Sequence, residues 1–264
     1  MLKIKTHFPE FHSDLIERFW IIENTEVETK VVIPPSQYIN IIFPIGTSNY
    51  KRNESWVTSP QIEGISLQNN TITYPPNTKV FGIRLFAYGL YPFFQFAGKE
   101  IMDTSIPIQL EGFPFITEHK SDDALIKKLE KTILSHFSVD RYNEIKPILN
   151  FYQKFRWNDE NESIERFCKD SETNYTSLNR LFSKVIGISP KKFERLIKFR
   201  KSLCSIIDSQ EQLTSIGINS GYFDQAHFIR EFKLFLHQTP SEYKKMIKEA
   251  DKESNIINYN FKLH

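Results

Sequence analysis
One stretch of the chain contains itself twice. Leu178, Arg180, Phe182, Gly187, Ser189, Pro190 and Phe193 return fifty residues later as Phe228, Arg230, Phe232, His237, Thr239, Pro240 and Tyr243. The two sets keep register with no insertion. Only Gly187 against His237 breaks the like chemistry. A period this clean means one supersecondary unit used twice. Asn174 and Asp224 stand where a helix start needs a side-chain oxygen for its orphan N–H groups. Leu178, Leu181, Phe182 and Val185 then follow at helical spacing, as do Phe228, Phe232 and Phe235. Each helix stops at Gly187 or His237. Ser189-Pro190 and Thr239-Pro240 open the next helix, a cap hydroxyl followed by proline at the first helical position. Thr239 to Glu242 also reads as a capping box.

The opposite faces of these helices are polar. At about 100° per residue, Thr176, Arg180 and Ser183 turn away from the first apolar stripe; Ala226, Arg230 and Lys233 turn away from the second. A shorter helix precedes each, with apolar edges at Ile164, Phe167 and Cys168 and at Leu213, Ile216 and Gly217. Cys168 and Gly217 are small, as a close helix–helix approach requires. Helix, short turn and helix with an exposed polar face is the helix-turn-helix layout, whose second helix enters the major groove of DNA.

The residues here carry a resemblance. Ser189-Pro190, Gly221 to Gln225, His227 to Lys233 and Thr239 to Tyr243 resemble the signature of AraC/XylS-type transcription regulators, over roughly residues 163–248. The resemblance implies two helix-turn-helix motifs joined by one long helix and reading two neighbouring major-groove segments. It places recognition helices near 175–186 and 225–236. It implies base-contacting roles for Thr176, Asn179 and Arg180, then Gln225, Ala226 and Arg230. Three positions depart from the pattern. Thr176 is smaller than the side chains common there, Gly217 replaces a usual alanine, and His237 replaces a helix-ending glycine. A non-glycine residue in the left-handed region costs roughly 1–2 kcal/mol, which makes the second motif the less rigid one.

Charge supports this reading by its distribution. The net formal charge is only +2 over 264 residues. Between Ser177 and Lys201, however, Arg180, Lys184, Lys191, Lys192, Arg195, Lys198, Arg200 and Lys201 face Glu194 alone, a local excess of 8 − 1 = +7. Such a run is a footprint for phosphates or a solvated helix face, and its place within the repeat favours the first. The two cysteines, Cys168 and Cys204, exclude a disulfide framework and suit a reduced, cytoplasmic setting. The N-terminal residues lack the apolar core of a signal peptide, and no run of about 18 apolar residues exists to cross a membrane.

The expected fold class is mixed α and β in two domains. Residues 1–156 form a β-rich, barrel-like sensor or dimerisation domain with trailing helices. Residues 157–250 form an all-α DNA-binding domain, and 251–264 a polar tail. Strands are expected at 18–23, 29–33, 37–45, 61–67, 71–74 and 79–86, separated by clusters such as Pro34-Pro35-Ser36 and Gly46 to Asn49. Several short strands at such spacing suggest a barrel or a sandwich. A short helix is expected over 88–97. Leu125, Ile126, Leu129, Ile133 and Phe137 make a stripe buried against the barrel or in a dimer. Tyr142, Ile145, Leu149 and Tyr152 make another, with Pro147 inside it. Polar linkers are expected at 118–123 and 157–163. The segment from about 158 to 250 is expected to fold alone.

The expected DNA-binding residues are Thr176, Asn179, Arg180, Ser183, Lys184, Gln225, Ala226, Arg230 and Lys233. The partner is double-stranded DNA. RNA polymerase is a further partner if the chain is an activator, and a small-molecule effector and a homodimer are left open. No catalytic residue, metal site or cofactor is expected: no phosphate loop, nucleophile elbow or metal-ligand spacing occurs. Strand aromatics such as Trp20, Tyr38, Phe43, Trp56 and Phe81 are core by first expectation and cavity lining by second. Arg84 sits among apolar neighbours and needs a partner when buried. A structural ion pair is the first expectation for it, an acidic ligand the second. The alternatives to a sequence-specific regulator are a DNA-repair enzyme fused to the same unit and a non-specific architectural binder.

Overall fold
The structure, a computed structural model, describes residues 2–109, 121–156, 163–253 and 256–257, with side chains described through 247. The N-terminal unit is two sheets face to face. One contains β1 (Leu2–His7), β2 (Ile16–Asn24), β4 (Tyr38–Pro44), β7 (Gln61–Glu63), β9 (Thr78–Phe86) and β10 (Ser105–Pro107), in the order β1-β2-β9-β4-β7-β10. The other contains β3 (Thr29–Ile33), β5 (Tyr50–Arg52), β6 (Ser55–Val57) and β8 (Asn70–Tyr74), with β11 (Ile256–Ile257) added in parallel beside β3. The β-rich, barrel-like unit expected from the sequence is therefore an open pair of sheets and not a closed barrel: each keeps free edges, at β1 and β10 in the first sheet.

The central strands β2, β9 and β4 are buried on both faces. Trp20, Ile22, Ile42 and Val80 meet Val31, Tyr50, Ile72 and Tyr74 of the second sheet. Phe19, Ile21, Ile41, Phe81 and Ile83 lie in the other core, under the helices. A strand covered on both sides has no reason to alternate apolar with polar. This explains the irregular pattern of Tyr38 to Phe43. Strands missing from the sequence reading are β1, β5, β6 and β10, which are short or partly exposed and carry little apolar signal, and the two-residue β11 inside the expected polar tail.

Residues 88–97 correct an expectation. They form successive turns, and the only helix there is the short α1 (Gly98–Ile101). Tyr88, Leu90, Tyr91, Phe93 and Phe94 are all buried, whereas a helix would send some of them to solvent. The stripe on α2 (Asp122–Leu134) is buried in the N-terminal core, with Leu129 2 % and Ile133 0 % exposed. Asp122 receives Lys5 Nζ at 2.6 Å and Lys79 Nζ at 2.8 Å, tying the helix start to β1 and β9. α3 (Val139–Arg156) runs through Pro147.

The remaining helices follow the repeat: α4 (Ile164–Asp170), α5 (Tyr175–Val185), α6 (Pro190–Asp208), α7 (Leu213–Asn219), α8 (Gln225–Leu236) and α9 (Pro240–Glu253). Their caps are those the sequence offers. Asn174 accepts from the Ser177 N–H at 3.0 Å, Asp224 from His227 at 2.6 Å, and Ser189 from Lys192 at 3.2 Å. Thr239 and Glu242 close a capping box, with N–H bonds of 2.6 and 3.1 Å. A Cβ on Gly217 would come within 2.9 Å of the Phe228 ring, so the small residue sets how closely α7 and α8 pack.

The two copies differ in what they touch. Phe167, Leu178, Phe182, Val185 and Phe193 belong to one continuous core with the N-terminal sheet. α3 is the bridge: Phe151 meets Phe167 and Phe182 edge-on at ring separations of 5.2 and 5.0 Å, while Tyr152 packs on Phe86 and Phe193. The second motif has its own core of Phe199, Ile216, Phe228, Phe232, Phe235 and Tyr243, which Leu67 reaches from the N-terminal unit. Gly187 and His237 both take left-handed backbone, with φ of 90° and 59°. Only Gly187 lies against another chain segment: a Cβ there would stand 2.6 Å from the Gly98 carbonyl carbon. His237 faces solvent.

The boundary expected between residues 156 and 157 adjoins 157–162, outside the described residues, as does most of the linker expected there. A fragment beginning at 158 would lack α3 and bare Phe167 and Phe182. It is expected to melt at lower temperature, and with less helix by circular dichroism, than one beginning at 138; equal melting would remove α3 from the core of the first motif. Leu129→Ala in the full chain is expected to cost about 2–5 kcal/mol in denaturant unfolding, with no change in oligomeric state on sizing.

Candidate nucleic-acid interface
The surfaces of α5 and α8 follow from their stripes. Leu178, Phe182 and Val185 hold α5 down, and Thr176, Arg180 and Lys184 are exposed, with Asn179 and Ser183 half-buried. Phe228, Phe232 and Phe235 do the same for α8, leaving Gln225, Ala226, Arg230 and Lys233 exposed. Among the described residues, neither Arg180 nor Arg230 makes an ion pair or a side-chain hydrogen bond. The neighbouring acid nearest Arg230 in sequence, Glu231, is occupied: it takes Arg195 Nε at 2.6 Å. That bond pins α8 to α6 from a carboxylate that is 8 % exposed. Arg180 and Arg230 thus stand on equivalent helices as unengaged guanidinium groups, the donors suited to bidentate contact with a guanine edge or a phosphate.

Lys184 behaves differently from its neighbours on α5. Its Nζ bonds to the Glu144 carboxylate and lies 5.3 Å from the Tyr91 ring centre, so it faces the N-terminal unit. The hydrogen bond from Lys184 holds the Glu144 carboxyl below its ordinary range. Lys184 is better explained as a tie between α5 and α3 than as a DNA contact. Its partner lies forty residues away in sequence, beyond any local pattern.

The basic run is also less free than its count suggests. Lys191 and Lys198 both bond Glu194, at 2.9 and 2.7 Å. Burial pushes the Glu194 carboxyl up, but the hydrogen bonds from Lys198 and Lys191 outweigh it and hold the group below the usual range. Arg195 is on Glu231, and Arg200 is buried. The last point was available from periodicity: Arg200 falls seven residues after Phe193 and four after Leu196, on the stripe of α6 itself. Arg180, Lys192, Arg230 and Lys233 remain exposed without an ion pair among the described residues.

The other sequence candidates separate cleanly. Trp20 and Tyr38 line a cavity between the sheets, Phe43 and Phe81 are core, and Trp56 is 58 % exposed beneath Lys51 Nζ at 4.9 Å. Arg84 is buried and lines the same cavity. The ion pair expected for it is not made, because Glu17 is taken by Arg18. Burial pushes both thiols up, Cys168 and Cys204 alike, which opposes thiolate chemistry. Among the described residues no cluster of His, Cys, Asp or Glu is placed to hold a metal, and no helix is long and apolar enough to cross a membrane.

Comparison with known proteins bears on both units. Residues 167–246 match the family model described as a helix-turn-helix domain. Residues 12–107 match a domain of unknown function (DUF6597). The "Invasion protein InvF" of Salmonella typhimurium is 30% identical over 84 residues, covering 32% of this chain and 39% of that protein. An uncharacterized HTH-type transcriptional regulator of Haemophilus influenzae is 27% identical over 84 residues, covering 32% of this chain and 28% of that one. The matches thus span well under half of these relatives' own length. Among solved structures, ToxT from Vibrio cholerae aligns over 93% of this chain and 98% of its own, at 12% identity and a TM-score of 0.46. The C-terminal unit is a helix-turn-helix domain of the AraC type.

DNA binding by this unit is expected to weaken with salt at a log–log slope of about −4, from some four unengaged cations at roughly 0.9 each. Titration of a labelled duplex from low to high salt checks it. A slope near zero would remove the electrostatic footprint, and one of about −5.4 would mean that Lys191 and Lys198 let go of Glu194 on binding.

Proposed function
We propose that this chain, whose C-terminal unit is an AraC-type helix-turn-helix domain, is a sequence-specific transcription regulator. α5 and α8 each enter the major groove, in two successive segments about one helical turn apart. Thr176, Asn179, Arg180 and Ser183 read from the first helix, and Gln225, Ala226, Arg230 and Lys233 from the second. Lys184 is left out of the reading set because Glu144 holds it. One observation carries the proposal: Arg180 and Arg230 occupy the same phase of repeated helices, both exposed and both without a partner among the described residues. A non-specific architectural binder would need charge but not two matched faces.

The role proposed is activation, with RNA polymerase as the protein partner; the support is the resemblance of the signature from Gly221 to Tyr243. In vitro transcription from a bound promoter, with purified polymerase, is expected to rise when the protein is added. A fall would make it a repressor.

Arg180→Ala and Arg230→Ala are expected to relax base preference at one position each, about 10 bp apart, at a cost of roughly 1–3 kcal/mol per lost guanine contact. The first is expected to have the larger effect, since α5 is built into the larger core. Binding selections on randomised duplexes decide this. A uniform loss of affinity on all sequences would make both arginines phosphate contacts, and unchanged preference in both variants would end the two-reader mechanism.

A further inference from the structure
Phe223 is 90 % exposed, the most exposed large apolar side chain among the described residues. It stands in the turn between α7 and α8, directly before Asp224, the cap of α8. The backbone on either side of it is fixed. Gly221 takes left-handed backbone with φ of 87°, and its N–H donates to the Ile218 carbonyl at 2.8 Å. The Tyr222 N–H donates to the Gly217 carbonyl at 3.1 Å, and the Tyr222 ring is buried against Phe228. Phe223 donates its own N–H to His227 Nδ1 at 3.3 Å, while Asp224 accepts from the His227 N–H. The Phe223 ring takes no part in these bonds, and its contact with water is unfavourable.

The N-terminal residues of a recognition helix are the ones that reach base edges. Phe223 comes just before two of them, the exposed Gln225 and Ala226. Ala226 carries a single methyl group and fills little of a groove. A phenyl group has no donor or acceptor for a phosphate or for a base hydrogen bond. The apolar group on the major-groove edge is the thymine C5 methyl, which apolar side chains, phenylalanine among them, contact. The first motif has no counterpart. Fifty positions earlier stands Thr173, half-buried, whose hydroxyl donates to the Ser171 carbonyl at 3.1 Å. The aromatic residue at the start of α5, Tyr175, borders a groove with Ile164 and Cys168.

We infer that Phe223 is a specificity-determining residue, whose ring lies against a thymine C5 methyl in the segment read by α8. The inference rests on the two-reader proposal and adds an apolar contact that the second motif alone makes. Phe223 precedes Arg230 by seven positions, roughly 10 Å along a helix. The A·T pair met by the ring therefore lies within about three base pairs of the pair met by Arg230, at about 3.4 Å per pair. Because the turn is held before DNA arrives, the ring has little freedom to lose on binding.

Binding selections on randomised duplexes, run with the full chain, Phe223→Ser and Arg230→Ala, test this. The selected duplex is then titrated with thymine or uracil at the pair in question, since uracil differs from thymine only by the missing methyl group. For the unaltered chain, uracil is expected to weaken binding about fourfold, the effect of one buried carbon. Phe223→Ser is expected to bind both duplexes equally and to lose the A·T preference at that pair alone, keeping the preference at the pair met by Arg230. Phe223→Leu, still apolar, is expected to retain part of the thymine–uracil difference. All three variants replace exposed side chains and are expected to melt as the unaltered chain does. No A·T preference near the Arg230 pair, or equal binding of thymine and uracil duplexes by the unaltered chain, overturns the inference. So does an unchanged selection with Phe223→Ser while Arg230→Ala relaxes its own pair, and that outcome leaves the two-reader proposal standing. Loss of affinity on every sequence alike puts the ring on the sugar–phosphate backbone, and altered transcription with unaltered DNA binding makes it a protein contact; either overturns the inference. Unchanged preference in both Phe223→Ser and Arg230→Ala ends both proposals together.

Discussion

Everything else in this structure depends on the packing of aromatic rings around α3. Phe151 sits fully buried between Phe155, Phe167 and Phe182, and Tyr152 between Phe86 and Phe193. Rings that meet edge-on at such separations add to the burial of their area. Because these rings come from the sheet, from α3 and from the first helix-turn-helix motif, no surface divides them. The Gln37 side chain adds a buried hydrogen bond to Tyr152 Oη at 3.0 Å. The first reading helix is therefore positioned by the N-terminal unit as much as by its own turn. The second takes its position from α6, through Arg195 on Glu231 and the rings of Phe199, Phe232 and Phe235.

Much of this was legible beforehand. The caps at Asn174, Ser189, Asp224 and Thr239 are local chemistry and appear where the residues place them. α5 and α8 end within a residue of the expected limits, because an amphipathic stripe and a left-handed terminator act over short range. β3 runs over the residues expected, since Pro34-Pro35 closes it. Tertiary choices were not legible. Residues 88–97 carry enough aromatics for a helix, and they turn because every ring finds a place in the core. Counting charges along Ser177 to Lys201 overstated the free surface, since Glu144 and Glu231 reach in from distant parts of the chain. Arg200 was readable from its phase on α6; Arg84 was readable as a problem, but the strand register that sets it beside Arg18 was not.

The electrostatics divide along the same line. Cations on the packed faces have carboxylates, from Lys5 and Lys79 on Asp122 to Lys191 and Lys198 on Glu194. Among the described residues, Arg141 bonds backbone carbonyls, and four other arginines without a carboxylate fall into two pairs. Arg180 and Arg230 lie in water, where an unpaired guanidinium costs nothing and awaits a partner. Arg84 and Arg200 lie inside, where it is costly to leave them so. Exposure alone separates the two pairs.

The pairing of Gly187 with Gly98 bears on how a duplicated unit drifts apart. Two copies of one motif begin under the same demands, and each position is free to change only as far as its own surroundings permit. Residue 237 has one demand, to end a helix in left-handed backbone, and histidine meets it at a modest cost. Residue 187 has two, because a second backbone occupies the space a side chain would fill. Docking of one copy against the sheet thus removed a degree of freedom from that copy alone. The single mismatch among the seven matched positions falls where the two copies face unequal neighbours, so the history of the repeat is written in the asymmetry of what surrounds it.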